Sequence, residues 1–222
     1  MVCEERALPT VMAELFLHEA CVSELFPARR VQSVYLDTHE ERALADNLAG
    51  VTDREKLRLR WYGDATDRAR GTLERKVRRA GVGWKELVPV EEELELAGTP
   101  RAELVERLAA HAPPAWEVSP VTLGPAQWIA YTREYYRTAD RRVRITVDRD
   151  LVAFDQRFSP VLQDRFSTPV PRLLVVELKA DLDHRAALQA FAATFPLLHD
   201  KSSKFVLASS PKDAPIISVM TG

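Results

Sequence analysis

Residues 56–62 separate charged from apolar side chains with a period of two. The segment reads Lys-Leu-Arg-Leu-Arg-Trp-Tyr. In an extended strand successive side chains point to opposite faces, so Lys56, Arg58 and Arg60 share one face. Neighbouring cations repel one another, and a fold tolerates them on one face only where they meet water, carboxylates or a polyanion. The segment therefore predicts a strand with an unusual cationic face.

The same alternation recurs further along the chain. It is present in residues 74–78, 131–135, 142–148 and 175–179. For any single strand, an antiparallel sheet with one solvated face is the simpler explanation. Ordinary solvated faces are rich in Thr, Ser, Gln and Glu, whereas these rows repeatedly use Arg and Lys. Together the rows favour one shared cationic surface.

Composition excludes several classes of protein. The 222 residues are 46% hydrophobic and 29% charged, which is enough to bury a sizeable core. A net charge of -2 argues against a generic nucleic-acid binder, which usually carries a basic surplus. Cys3 and Cys21 follow no secretory signal and have no metal-ligand spacing. With no apolar run that could span a bilayer, we expect a cytoplasmic protein.

The chain is predicted to alternate helices and strands, with strands predominating in the middle. Helices are predicted from Pro9-Thr10 to Phe26-Pro27, from a Thr38 cap to Gly50, from Thr99-Pro100 to His111, and from an Asp183 cap to Phe195-Pro196. Strands are predicted at residues 30–36, 56–62, 71–79, 84–90, 128–137, 141–148 and 173–179. A short helix or turn is expected at residues 201–205. No linker divides the chain, so we expect a single domain over residues 1–208 and a flexible C-terminal tail over residues 209–222.

Familiar catalytic motifs are missing from the sequence. There is no P-loop and no G-x-S-x-G elbow, and the glycines near residue 82 join two predicted strands. The five histidines have no ligand spacing. What remains is a set of cations with a few carboxylates, which suits phosphate binding. Glu177 and Lys179 share a face, and their spacing fits a metal ligand beside a phosphate contact as well as it fits a simple ion pair.

An ordered set of short segments resembles a known family. The segments are VQSVYLDT, NLAGV, KLRLRWYG, LERK, YTR, VRITVD, VELK and KSSKF, between residues 31 and 205. Together they resemble the VTC domain, the polyphosphate polymerase module of the vacuolar transporter chaperone complex and its bacterial relatives. The resemblance covers nearly the whole chain to about Leu207.

This resemblance implies an α+β protein with the triphosphate tunnel (CYTH-like) fold, a closed antiparallel β-barrel with a charged interior and helices packed outside. The catalytic positions that it implies are Arg58, Arg60, Lys76, Arg133, Arg144 and Glu177. Further phosphate-binding positions that it implies are Lys56, Lys85, Lys179, Lys201 and Lys204. Glu177 would hold Mn or Mg. The first-strand Glu-x-Lys motif of the family has only Glu4 and Arg6 as counterparts, so that strand is either shortened or begins upstream.

The activity implied is metal-dependent transfer of the terminal phosphoryl group of a nucleoside triphosphate to phosphate or polyphosphate. The first alternative is a tripolyphosphatase or nucleoside triphosphatase, with water as the acceptor on the same framework. The second is a receptor that binds polyphosphate or nucleotide without turnover. In each case the expected partners are a nucleoside triphosphate and polyphosphate, with no nucleic acid and no membrane span in this chain.

Overall fold

The structure is a computed structural model that describes residues 1–197 and 203–209. The strands are β1 (Val2–Glu4), β2 (Ser23–Thr38), β3 (Arg54–Tyr62), β4 (Arg68–Arg79), β5 (Val82–Glu95), β6 (Leu123–Arg137), β7 (Arg144–Asp155) and β8 (Leu173–Lys179). The helices are α1 (Leu8–Leu17), α2 (Arg42–Leu48), α3 (Arg101–His111), α4 (Arg185–Thr194) and α5 (Lys204–Ser209). Three short 3-10 helices cover Glu5–Ala7, Pro114–Trp116 and Leu182–His184. None of the helices described is both long and apolar enough to cross a bilayer.

All eight strands form one antiparallel sheet in the order β1-β8-β7-β6-β2-β3-β4-β5. The α+β class and the antiparallel sheet are thereby confirmed. The closed barrel is not, because no pairing joins β1 to β5 within the described residues. Strand β1 has only three residues and pairs with β8 alone. Strand β5 carries Pro89, a residue that cannot donate to a ladder and that sheets accept at their edges.

The open sheet is nevertheless strongly curled. Strands β4 and β8 are five positions apart in the sheet order, which would separate them by about 24 Å if the sheet were flat. Burial lowers the pKa of Lys76 on β4, and the carboxylate of Glu177 on β8 acts on it in the opposite direction. Contacts with α5 show the curl directly, because Lys56 of β3 donates to Ser203 at 2.7 Å while the next residue, Lys204, reaches Asp148 of β7 and Glu177 of β8. The two halves of the sheet therefore face each other across a concavity. We call this concave side of the sheet the inner face.

The convex side carries most of the apolar core. On β3, the buried Leu59 and Trp61 belong to a cluster with Leu104 and Leu108 of α3. A second cluster packs α1 and α4 against the other half of the sheet. Because these apolar residues alternate with the cations, their burial on the convex side fixes the cations on the inner face.

Helix α5 departs from the expectation that the helices pack outside. Phe205 stacks on Tyr35 of the inner face, with ring centroids 4.8 Å apart and planes inclined by 17°. Helix α2 contributes Leu44 to the same cluster. An apolar patch at this end of the concavity is thus covered by helix. Lys201 and residues 210–222 of the expected tail lie outside the described residues.

Two helix boundaries differ from the sequence prediction. Helix α1 ends at Leu17, and Ser23 already begins β2, because residues 23–26 gain backbone hydrogen bonds by pairing with β6. Helix α2 begins at Arg42, whose backbone N–H donates to the hydroxyl of the predicted cap, Thr38, at 3.1 Å. The carboxylate of Asp37 adds bonds from the backbone N–H groups of Ala43 and Leu44 at 2.8 and 3.0 Å. The first difference arises from long-range strand pairing, and the second from bonds to side chains at the end of β2.

We expect Leu59→Asp to prevent folding. The variant buries an unpaired carboxylate between β3 and α3, at a cost of several kcal/mol against a total stability of about 5–15 kcal/mol. Circular dichroism and urea titration measure the effect, and Leu59→Met, which conserves apolar volume, is the control. A cooperatively folded Leu59→Asp protein would contradict the assignment of Leu59 to the core.

Candidate functional site

Strand register brings the predicted cations onto the inner face. Residues directly opposite in neighbouring strands share a face. Arg58 is opposite Glu74, Lys56 is opposite Lys76, and Lys76 is in turn opposite Lys85. On the other half of the sheet the register places Arg133 opposite Asp148, Thr146 opposite Glu177, and Arg144 opposite Lys179. Six strands thus supply charged side chains to one surface.

A buried carboxylate, Glu74, organises the two arginines of β3. Arg58 donates to one Glu74 oxygen from Nε at 2.9 Å and from Nη2 at 2.6 Å, and Arg60 donates to the other oxygen at 3.3 Å. Burial alone would raise the pKa of Glu74. The two guanidiniums lower this pKa by more than burial raises it, so the net shift is downward. Arg58 also donates to the hydroxyl of Tyr35 at 2.7 Å. The guanidiniums are therefore held in fixed positions.

Asp148 has the same role on the opposite wall. Its side chain is only 1% exposed and accepts a bidentate bond from Arg133, at 2.6 and 2.7 Å. Lys204 of α5 reaches the same carboxylate at 2.5 Å and lies 4.8 Å from the centroid of the Tyr131 ring. Although burial lowers the pKa of Lys204, the attraction of Asp148 and Glu177 outweighs it and the net shift is upward. This ion pair anchors α5 to the wall.

Glu177 is the partly accessible carboxylate of the site. Its oxygens lie 3.0 Å from Lys179, 3.5 Å from Lys204 and 3.6 Å from Arg133. Burial acts to raise the pKa of Glu177, but the surrounding cations, Lys204 first among them, hold it far below its ordinary value. Glu177 is therefore an anion at any physiological pH.

The residues fit a divalent cation only if a ligand completes the coordination. No group of three acidic, His or Cys side chains that could hold a metal occurs in the described part of the chain. Magnesium commonly takes one or two carboxylates and obtains its other ligands from water and substrate phosphates. Glu177 can supply one such carboxylate. A metal would then bind together with the phosphates rather than before them.

Three lysines form a row across neighbouring strands, and we call Lys56, Lys76 and Lys85 the lysine row. They are directly opposite one another on β3, β4 and β5. None of them takes part in an ion pair within the described residues. Burial, followed by the positive charge of Lys76, lowers the pKa of Lys56 to about 7. The pKa of Lys76 is also lowered, chiefly by burial. Within the part of the chain that the structure describes, no carboxylate lies within ion-pair distance of these three ammonium groups.

A cavity of about 450 Å³ adjoins the lysine row. Its lining includes Arg60, Tyr62, Glu74 and Lys85. At the other side of the row, Lys56 donates to the hydroxyl of Ser203 at 2.7 Å, just before α5 begins. The accessible space therefore lies over β3, β4 and β5, away from α5.

Some predicted site residues lie at the margin of this arrangement. Arg144 is on the inner face but pairs with Asp181 at 2.8 Å, and both side chains are more than half exposed. Glu4 is on β1, where it pairs with Arg6. Arg6 lies in the 3-10 helix after β1 and is largely exposed, so it does not extend the strand as the expected motif would. Lys201 is not among the described residues.

Sequence analysis missed the carboxylates that organise the site. Glu74 and Asp148 were recognised as members of alternating rows but not as site residues. Both are buried and each binds two cations. A signal was present, because each carboxylate shares the period-two row of a proposed cation, Lys76 in one case and Arg144 in the other. The inner-face residues Tyr35 and Tyr131 were not identified either.

The sequence matches the model of a known family over most of its length. The model of the VTC domain family matches residues 21–210. The chain belongs to the VTC domain family. No curated protein matches this VTC domain in sequence.

Solved structures show which fold the VTC domain shares. A putative adenylyl cyclase from Hippeastrum, described as having a dominant triphosphatase activity, is similar with a TM-score of 0.54 and 18% identity, over 94% of this chain and 93% of that chain. A putative adenylate cyclase from Vibrio parahaemolyticus has a TM-score of 0.49 and 13% identity, over 93% of this chain and 95% of that chain. A protein from Pyrococcus horikoshii has a TM-score of 0.43 and 10% identity, over 83% of this chain and 81% of that chain. The first likeness shows that the VTC domain shares the overall fold of that protein.

We expect Lys56→Met to stabilise the free VTC domain most strongly at low pH. The pKa of about 7 in the folded protein lies below the ordinary value of 10.5, so the unfolded chain binds more protons between these values. Wild-type stability therefore rises with pH across this window, and the penalty is present in full below pH 7. Urea unfolding should show the advantage of the variant at pH 6 and a smaller advantage at pH 9.5.

The control for this comparison is Lys179→Met, at an exposed position. It should change the free energy of unfolding by less than about 1 kcal/mol at either pH. An advantage of Lys56→Met that does not depend on pH would show that Lys56 is not a destabilising charge.

We expect Asp148→Asn to destabilise the domain by about 3–5 kcal/mol, because it leaves Arg133 and Lys204 buried with their shared counter-charge removed. The matched control is Asp181→Asn, which breaks the exposed pair with Arg144 and should cost at most about 1 kcal/mol. Chemical unfolding of both variants at neutral pH measures the difference. Equal effects would contradict the organising role of Asp148.

Proposed function

We propose that this VTC domain binds a triphosphate along its inner face and transfers the terminal phosphoryl group of a nucleoside triphosphate to phosphate or polyphosphate. The observation that carries the proposal is the lysine row. Like charges directly opposite in a sheet are destabilising, and the partial burial of Lys56 increases the effect. A polyanion bound at the row would relieve that repulsion, and its oxygens would take the place of the missing carboxylates.

The arginines supply a second element, fixed positive charge. Glu74 holds Arg58 and Arg60, and Asp148 holds Arg133, so these guanidiniums need little rearrangement when charge develops on a transferring phosphoryl group. Donors that are already oriented, in a site partly shielded from water, stabilise a transition state more strongly than mobile ones. Phosphoryl transfer depends mainly on such positioning and charge stabilisation.

A divalent cation is the third element, with Glu177 as the protein ligand that we propose. The ion, Mn or Mg, would supply additional positive charge between phosphate oxygens. Glu177 is suited to this because it remains ionised and is about one third exposed, whereas Asp148 is fully occupied by Arg133 and Lys204. The remaining outward cations, Arg144 and Lys179, would attract a second anion towards the site.

Water as the acceptor is the second candidate reaction. The observation in its favour is that the structurally similar Hippeastrum protein is described as having a dominant triphosphatase activity. The same cations would then bind the triphosphate, and hydrolysis would release orthophosphate. A receptor without turnover is the third possibility on this surface.

One experiment separates the three. The protein is incubated with ATP and Mn²⁺ or Mg²⁺, and the products are resolved by ³¹P NMR and gel electrophoresis. We expect the appearance of condensed phosphate chains. Orthophosphate without chains would replace the transferase by the hydrolase. Thermal stabilisation by tripolyphosphate with no product would leave the receptor, and the absence of both binding and turnover would refute a phosphate site altogether.

We expect Lys76→Met and Glu177→Gln each to lower turnover on the order of 100-fold, as removal of a single charge-stabilising group does elsewhere. The control Arg107→Gln removes a cation from α3 on the convex side and should leave turnover at the wild-type level. Thermal melts of all three proteins establish that they fold. Full activity of Lys76→Met would exclude the lysine row from the site.

A further inference from the structure

A group of aromatic side chains surrounds an arginine at the end of the inner face away from α2. The guanidinium carbon of Arg29 lies 5.4 Å from the ring centroid of Phe26, 6.0 Å from that of Tyr62 and 5.9 Å from that of Tyr135. These residues come from β2, β3 and β6. Phe26 and Tyr62 are 48% and 55% exposed. We call these four residues the mouth cluster.

The mouth cluster continues the cationic rows. Tyr62 follows Arg60 by two residues, and Tyr135 follows Arg133 by two, so each ring lies on the same face as its cation, about 7 Å further along the strand. Burial raises the pKa of Tyr135, and the nearby hydroxyl of Tyr62 acts in the same direction. Both rings also contact the same Arg29 guanidinium, so they are neighbours at this end of the inner face.

Tyr62 belongs to the accessible space of the site itself. It lines the cavity of about 450 Å³ together with Arg60 and Lys85. An anion bound by these two cations would have an exposed aromatic ring beside it. The separation along the strand is of the order of the span of one ribose.

Phosphate groups alone give no reason for exposed rings at this place. An inorganic phosphate chain has no planar apolar part, whereas a nucleobase has a flat π-face that stacks on aromatic rings whatever its sequence identity. A guanidinium packed against the rings adds a cation–π contact and a further planar surface. Charge complementarity on one side and stacking planes on the other match a nucleotide.

We propose that the mouth cluster, with Tyr62 as its stacking plane, binds the base of the nucleoside triphosphate whose phosphates lie on the inner face. The inference rests on the proposed function, because the position of the phosphates comes from it. It adds a determinant of substrate class, since it distinguishes a nucleoside triphosphate from an inorganic triphosphate of similar charge.

The test compares Tyr62→Ala with the wild type by isothermal titration calorimetry, using ATP and inorganic tripolyphosphate as separate ligands. We expect the ratio of ATP affinity to tripolyphosphate affinity to fall about tenfold, equivalent to about 1.4 kcal/mol. Tyr62→Phe keeps the ring and should keep the ratio. Because Tyr62 is more than half exposed, the alanine variant should fold, and its melting temperature checks this.

Phe158→Ala is the matched control. Phe158 is 87% exposed and has the guanidinium of Arg157 at 5.6 Å, but it lines a separate cavity of about 150 Å³. Its removal should not change the ratio. An unchanged ratio in Tyr62→Ala, with both ligands still bound, would overturn the inference and leave the proposed function standing. If the wild type binds neither ligand, the proposed function fails and this inference falls with it.

Discussion

The structure depends on the concentration of positive charge in one concavity, in excess of the negative charge beside it. Apolar side chains on the convex side are what force this arrangement, since each strand that buries Leu59 or Leu73 against α3 must turn its alternate side chains into the concavity. The free energy of the apolar core therefore offsets electrostatic repulsion on the inner face. Without that coupling the cations would turn towards water.

The inner face divides its cations into two groups. Those beside Glu74 and Asp148 are held by short, buried hydrogen bonds and form the scaffold. Those of the lysine row face one another across strands, and within the described residues none of them takes part in an ion pair, although Lys56 donates to the Ser203 hydroxyl. A single surface thus combines fixed guanidiniums, which orient a ligand, with ammonium groups whose mutual repulsion makes the site receptive to it.

Much of this could be predicted from the sequence, for an identifiable reason. A period of two needs only local information, and it placed Arg58, Arg133 and Glu177 on one face without any knowledge of their partners. The VTC resemblance, confirmed by the match over residues 21–210, supplied the candidate phosphate-binding positions. The face on which each cation lies was consequently easier to predict than the partner that it contacts.

Other features depend on long-range pairing and could not be predicted in the same way. The partner of Arg133 is set by register between β6 and β7, which shifts at a bulge between Ala130 and Thr132. The early end of α1 follows from the pairing of Ser23 with Arg137. The open edge is different, because a closed barrel was expected although Pro89, within the predicted strand at residues 84–90, is a residue typical of sheet edges.

The unequal burial of the two groups of cations has a consequence for ionic strength. Asp148, Arg133 and Lys204 are nearly removed from solvent, so dissolved salt screens their attraction only weakly. An anion approaching the lysine row from bulk solution is instead attracted through water, where a Debye length of about 8 Å at physiological ionic strength limits the range. Added salt should therefore weaken binding of an anionic ligand at lower concentrations than it weakens the buried ion pairs of the site.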